Sequence, residues 1–190
     1  KPNKVSGIKA TSNSYNSIKL TWNKTVNGAN GYAVYRSTSK DGKYTLRKTI
    51  TSKNTIEFTD TGLDTNTTYY YKVRAYRMIA DKKKYGSYSE IVCAKPVLSK
   101  TKITVSSTSK KATIKWNKVL GASGYKVYSA TSSDGTYSLK KTITSINTLS
   151  YTNTNLVSGK TYYYKVRAYR NVNGKVVYGP YSAVKSKKIK

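Results

Sequence analysis

Apolar residues recur at every second position in a series of short runs, and the whole series occurs twice. Ile18, Leu20 and Trp22 alternate with polar neighbours, and Ala112, Ile114 and Trp116 do so again 94 residues later. The segment Tyr69-Tyr70-Tyr71-Lys72-Val73-Arg74-Ala75-Tyr76-Arg77 returns unchanged as residues 162–170. It contains no Gly or Pro, and Tyr and Val favour strands, so each copy is predicted to be a long central β-strand. Successive side chains of a strand point to opposite faces. Tyr69, Tyr71, Val73 and Ala75 then form a core face, and Tyr70, Lys72, Arg74 and Tyr76 form an outer stripe of cations and phenols.

The remaining runs complete the pattern. A weak first strand is predicted over Val5 to Thr11 and a second over Ser17 to Asn23. A third covers Tyr32 to Tyr35, matched by Tyr125 to Tyr128. Asp41-Gly42 and Asp134-Gly135 read as hairpin turns with a left-handed backbone, a conformation that Gly accepts and Asp tolerates. The next strand carries Tyr44, Leu46 and Ile50, repeated as Tyr137, Leu139 and Ile143. Short strands follow around Phe58 and Tyr151. Asn173-Gly174 marks a further tight turn in the second copy, where the first has Met78 to Lys84. The last strands hold Tyr85-Gly86-Ser87-Tyr88-Ser89 and Tyr178-Gly179-Pro180-Tyr181-Ser182. Seven short strands per copy, with turn signals between them and no helical period, predict an all-β antiparallel sandwich built twice. Lys1-Pro2 recurs as Lys95-Pro96, which places the domains at residues 1–95 and 96–190.

An inward Trp on the second strand, Gly-Tyr-x-Val on the third, and a Leu six residues before a Tyr together resemble the fibronectin type III domain. The resemblance covers essentially the whole chain, twice, and implies two tandem immunoglobulin-like, seven-stranded β-sandwiches. It also implies that Tyr69 and Tyr162 open the sixth strand and turn their hydroxyls back to the backbone near Leu63 and Leu156. The Pro that often follows that Leu by two residues is Thr65 and Ser158 here, a mild departure. The wording of the repeat is similar to modules of Gram-positive surface proteins and secreted multidomain enzymes. An extracellular place, on a bacterial cell surface or secreted, is what that similarity implies, with neighbouring domains of a larger parent protein as the first partners.

Charge changes the picture next. Lys and Arg number 36 against 7 Asp and Glu, for a net charge of +29. Residues 1–96 carry 18 basic and 6 acidic groups, a net of +12, and residues 97–190 carry 18 and 1, a net of +17. Such a field attracts polyanions without choosing one, and it also serves simply to keep a surface soluble. Both readings stay open at this point. The single cysteine, Cys93, cannot form a disulfide within the chain and is expected to be a small buried strand residue. No apolar run approaches membrane-spanning length, so no membrane insertion is expected.

Catalysis is poorly supplied. The chain has no histidine, the usual base near neutral pH, and the second copy has one acid, Asp134, which its turn position explains. No catalytic residue, metal ligand set or cofactor is expected. The candidate site is the outer stripe: Tyr35, Tyr70, Lys72, Arg74 and Tyr76 in the first copy, and Lys126, Tyr128, Tyr163, Lys165, Arg167 and Tyr169 in the second. Aromatic faces stack on sugars and flanking cations pair with anions, which suits an anionic cell-wall polymer or a host glycosaminoglycan. Nucleic acid ranks below these, since no base-reading motif is visible. The bland alternative is cross-strand Tyr–Lys pairing on a solvated sheet. The sequence therefore predicts a non-catalytic spacer in a larger protein, with adhesion to anionic polysaccharide as the alternative.

Overall fold

The computed structural model describes residues 1–25 and 28–190. It divides into two units, Lys1–Val97 and Leu98–Lys190. The first unit holds β1 (Lys9–Ser14), β2 (Ser17–Thr21), β3 (Gly31–Ser37), β4 (Thr45–Ile50), β5 (Glu57–Asp60), β6 (Tyr69–Ile79), β7 (Lys82–Tyr85) and β8 (Val92–Ala94). The second holds β9 (Ile103–Thr108), β10 (Lys111–Trp116), β11 (Gly124–Ala130), β12 (Ser138–Ile143), β13 (Ser150–Asn153), β14 (Thr161–Val172), β15 (Lys175–Tyr178) and β16 (Lys185–Lys188).

Each unit is a sandwich of two antiparallel sheets. In the first unit β1-β2-β5 faces β4-β3-β6-β7, and β8 also pairs with β6. In the second unit β9-β10-β13 faces β12-β11-β14-β15, and β16 also pairs with β14. β7 and β8 lie along the same edge of β6, at Tyr76↔Tyr85 and Tyr70↔Cys93, so they are one seventh strand in two pieces.

The alternation read from the sequence is the one that folds. Ile18, Leu20, Tyr32, Val34, Tyr71, Val73 and Ala75 are fully buried between the sheets of the first unit. Burying a large apolar side chain is worth about 1.5–3 kcal/mol, so this layer is the main source of stability. Trp22 and Trp116 are buried against Tyr32 and Tyr125, each pair with ring centroids 5.4 Å apart. Tyrosine suits this interior because its hydroxyl finds a partner at the rim. The Tyr32 hydroxyl accepts from the Thr25 amide and donates to the Lys53 carbonyl, both at 3.1 Å. At the start of the sixth strand the Tyr69 hydroxyl accepts from the Asp64 amide at 3.1 Å, and Tyr162 accepts from Val157 at 3.2 Å.

Three expectations are corrected, and the form of one further turn is defined. The first strand begins at Lys9 rather than Val5, although Val5 itself is buried as the chain approaches. Neither Gly42 nor Gly135 has a left-handed backbone; each amide instead donates to a carbonyl three residues back, Ser39 and Ser132. The Met78–Lys84 stretch makes the same two-residue turn as Asn173-Gly174, with Ala80 at φ 46° and Asp81 at φ 58°. Cys93 is exposed. It pairs with Tyr70 and shares its outward face, while Val92 and Ala94 pack on the core.

The two units differ where the chain approaches its first strand. Asn23 donates to the Ser6 carbonyl and Asn117 to the Lys102 carbonyl, so Val5 and Thr101 occupy corresponding buried places. The Thr101 hydroxyl has no partner among the described residues. A buried polar group left unpaired costs about 1–3 kcal/mol. Thr101→Val, which keeps the shape and restores what the first unit has, should therefore stabilise the second unit by about 1 kcal/mol in urea unfolding. A loss of stability would show that the hydroxyl is satisfied after all.

Candidate functional site

The outer face of the larger sheet carries a ladder of alternating rings and cations. Lys72 and Arg74 stand two apart on β6 and so project on the same face. Lys72 Nζ lies 4.3 Å from the centre of the Tyr44 ring and 4.1 Å from that of Tyr88. The Arg74 guanidinium lies 4.7 Å from Tyr88 and 3.8 Å from Tyr85, and donates to the Tyr35 hydroxyl. The order along the face is Tyr44, Lys72, Tyr88, Arg74, Tyr85. The second unit repeats it as Tyr137, Lys165, Tyr181, Arg167, Tyr178, with corresponding distances of 4.2, 4.3, 4.6 and 3.8 Å. Arg167 likewise donates to the Tyr128 hydroxyl, at 3.0 Å.

The broken seventh strand makes this possible. Residues three apart on a regular strand point to opposite faces, yet Tyr85 and Tyr88 both reach Arg74. Gly86 and Ser89, three apart, donate to Ala75 and Val73, two apart, so the strand holds one extra residue, a bulge. The Ser89 hydroxyl accepts from the Val73 amide at 3.0 Å, standing in for the carbonyl that the bulge displaces. Ser182 does the same for Val166. Tyr-Gly-x-Tyr-Ser is thus the sequence form of a bulge that aims two rings at one arginine.

Of the residues expected on the stripe, Tyr35, Lys72 and Arg74, and Tyr128, Lys165 and Arg167, are brought together. Lys126 joins the second ladder, donating to the Tyr178 hydroxyl at 2.8 Å. That bond raises the Lys126 pKa and lowers that of Tyr178. Tyr70 and Tyr163 are half-buried at the end of each face beside Tyr44 and Tyr137. Tyr76 and Tyr169 do not belong to an exposed stripe: each is buried over a glycine of the neighbouring strand, Gly31 and Gly124, where no side chain competes for the space. Tyr44, Tyr85 and Tyr88 with Tyr137, Tyr178 and Tyr181 are the members that alternation alone does not find. For Tyr85, Tyr88, Tyr178 and Tyr181 the signal is the exact recurrence of Tyr-Gly-x-Tyr-Ser; Tyr44 and Tyr137 lie outside that motif, just before β4 and β12.

A second cluster sits at the edge between the sheets. Asp60 is 1% exposed and accepts from Arg36 at 2.9 Å, Arg47 at 3.0 Å and the Tyr71 hydroxyl at 3.0 Å. The Arg36 guanidinium also lies 5.0 Å over the Tyr69 ring. In the second unit Asn153 takes the carboxylate's place and donates to the Tyr164 hydroxyl at 3.2 Å.

Burial, then the charge of Asp60, push the Tyr71 hydroxyl far up; burial also raises Tyr125 and Tyr164, where the bonds from Val119 and Asn153 oppose it. The folded pKa values thus lie above the ordinary 10.0, and the stability they carry is whole below that value and lost as pH rises beyond it. Above pH 10 the native state holds protons that the unfolded chain has released. Each such tyrosine should then remove about 1.4 kcal/mol per pH unit until its folded pKa is passed. Thermal melts should be flat to about pH 9 and fall steeply beyond about pH 10.5; an unchanged midpoint at the higher value would contradict the buried, protonated state.

Residues 3–90 match the family model of the fibronectin type III domain. Exoglucanase B of Cellulomonas fimi is 28% identical over 191 residues, which covers 88% of this chain. The chain spans 15% of that protein's length. A two-domain fibronectin type III segment from chicken tenascin superposes with a TM-score of 0.54 at 19% identity, covering 96% of this chain and 97% of that one.

Proposed function

We propose that the tandem is a non-catalytic spacer within a larger extracellular protein, from the premise that residues 3–90 match the fibronectin type III family model and the second unit repeats their fold. The observation that carries this reading is the ladder. In both units the residues best suited to hold a ligand are engaged with one another: Arg74 and Arg167 are each held by three tyrosines. Each such contact is worth about 0.5–1 kcal/mol at an exposed site and more when desolvated. With Lys72 on Tyr44 and Lys165 on Tyr137, they fasten the segment before the fourth strand, the third strand, the centre of the sixth and the broken seventh strand into one face. A rigid unit of that kind suits a chain that must hold other domains apart. Similarity to a small part of a named exoglucanase supports a secreted parent with an enzymatic domain elsewhere.

The test is an exchange in the full-length parent. Replacing these 190 residues by an unrelated pair of sandwiches should leave the parent's activity unchanged, whereas deleting them should lower it. Activity that returns only with this sequence would overturn the spacer reading.

The alternative is capture of an anionic wall polymer or glycosaminoglycan by Tyr35, Tyr70, Lys72 and Arg74 with Lys126, Tyr128, Tyr163, Lys165 and Arg167; the charge of +29 favours it. Arg74→Gln with Arg167→Gln separates the two. The spacer reading expects a fall in stability and unchanged retention on heparin at physiological salt, and adhesion expects the retention to collapse.

A further inference from the structure

Duplicated units invite a comparison of what each places at one position, and one position differs in kind. In the first unit Arg36 pairs across to Tyr71 and fills the space between the sheets, stacked on Tyr69 and bonded to Asp60. In the second unit the residue pairing with Tyr164 is Ser129, whose side chain is too short to fill that space. Asn153 replaces Asp60, and Lys140 replaces Arg47 in the same bulged stretch of the fourth strand. What remains is an open groove of about 400 Å3, lined by Ser129, Ser138, Lys140, Asn153 and the Tyr162 ring among others.

The lining says what would fit. Tyr162 keeps its place through the Val157 amide bond, but among the described residues no arginine lies over its ring as Arg36 lies over Tyr69. An aromatic ring at the wall of a polar pocket is a platform for a sugar ring, whose C–H face is apolar while its edge is polar. Ser129 and Thr131 bring hydroxyls, the Ser138 hydroxyl donates to the Ser129 carbonyl at 3.4 Å and keeps its acceptor side, and the Asn153 amide, tied by one atom to Tyr164, has its other polar atom left for a ligand. Lys140 stands exposed on the rim, and among the described residues no carboxylate pairs with it, Asn153 being neutral. A guanidinium from a partner would match the shape of the missing Arg36, but nothing in the groove would balance its charge, and the second unit's net charge of +17 repels it.

We infer that the groove between the two sheets of the second unit is a binding site for an acidic sugar residue, a hexuronate stacked on Tyr162 with its carboxylate at Lys140. The site lies on the edge of the sandwich, apart from the ladder, and goes beyond the spacer role. The first unit cannot share it while Arg36 occupies the corresponding place.

The test is titration of the isotope-labelled chain with a glucuronate-containing disaccharide, with cellobiose as the neutral control, followed by amide NMR. Saturable shifts are expected at Ser129–Thr131 and Asn153–Asn155, with cellobiose binding at least several-fold more weakly. Lys140→Glu, an exposed change that leaves the core alone, should weaken the uronate about tenfold and cellobiose little. The double change Ser129→Arg with Asn153→Asp rebuilds the first unit's plug and should abolish saturation; if it does not fold, Lys140→Glu decides alone. The proposal is overturned by no saturation up to about 20 mM, at which even a millimolar site is filled. It is overturned equally by shifts confined to Tyr128 and Arg167 on the ladder, by affinity unchanged in Lys140→Glu, or by preferential binding of an arginine peptide.

Discussion

Asp60→Ala should be the most damaging single polar change in the first unit, costing roughly 3 kcal/mol. The carboxylate is the shared acceptor for two guanidinium groups and a phenol, and it is 1% exposed. Removing one partner of a buried ionic cluster is commonly worth 3–5 kcal/mol, because the remaining charges lose their compensation. The lower end applies here, since the Arg36 and Arg47 side chains are 23% and 36% exposed and can recover water. The Tyr71 hydroxyl cannot, being fully buried. The second unit supplies the control. Its Asn153 and Ser129 show that a neutral amide serves when the arginine is gone as well. Asp60→Asn with Arg36→Ser should therefore recover most of what Asp60→Ala loses. Hydrogen exchange read separately at β6 and β14 measures this within one molecule. A double variant no better than the alanine would mean that the ion cluster, and not the satisfaction of Tyr71, is what the position requires.

The second large effect is expected from glycine. A Cβ added at Gly124 would stand 1.9 Å from the Ile143 carbonyl oxygen and 2.8 Å from the Tyr169 hydroxyl; at Gly31 the distances to Ile50 and Tyr76 are 2.0 and 2.9 Å. The first neighbour in each case is backbone and cannot swing aside. Gly124→Ala and Gly31→Ala should each cost about 2–3 kcal/mol, the scale of overpacking a well-filled interior, by prising β12 from β11 or β4 from β3. Gly159→Ala is the contrast: its φ is +78° but nothing lies within 4 Å of the added atom, so only the left-handed backbone is penalised. A chevron or urea series in which Gly159→Ala proved the worse change would refute the close-approach argument.

Much of the fold was legible because strand alternation is a local property. Ile18, Leu20, Val34, Tyr71 and Val73 face inward for no reason beyond their parity and their apolar character. Lys72 and Arg74 face outward by the same rule. Parity failed at Tyr85 and Tyr88, where the bulge adds a residue and turns both rings to one side. It failed differently at Tyr76 and Tyr169, which face outward yet are buried, because exposure depends on what the next strand offers and the next strand offers glycine. Cys93 is exposed because it pairs with Tyr70 on the outward face, a matter of register that the residue type does not reveal. The Asp60 cluster could not be read at all, since its four members come from β3, β4, β5 and β6.

What the amino-acid order by itself determined is the duplication, the all-β architecture and the division of each strand into an inner and an outer face. These rest on period-2 geometry and need no knowledge of neighbours. Which outer residues touch, and which pockets stay filled or open, was decided only when distant strands came together. The same nine residues of the sixth strand serve both units, yet beside one copy Arg36 lies over Tyr69 and on Asp60, and beside the other Ser129 borders an open groove. Side-chain packing across strands is a property of pairs, and pairs are set by the tertiary fold.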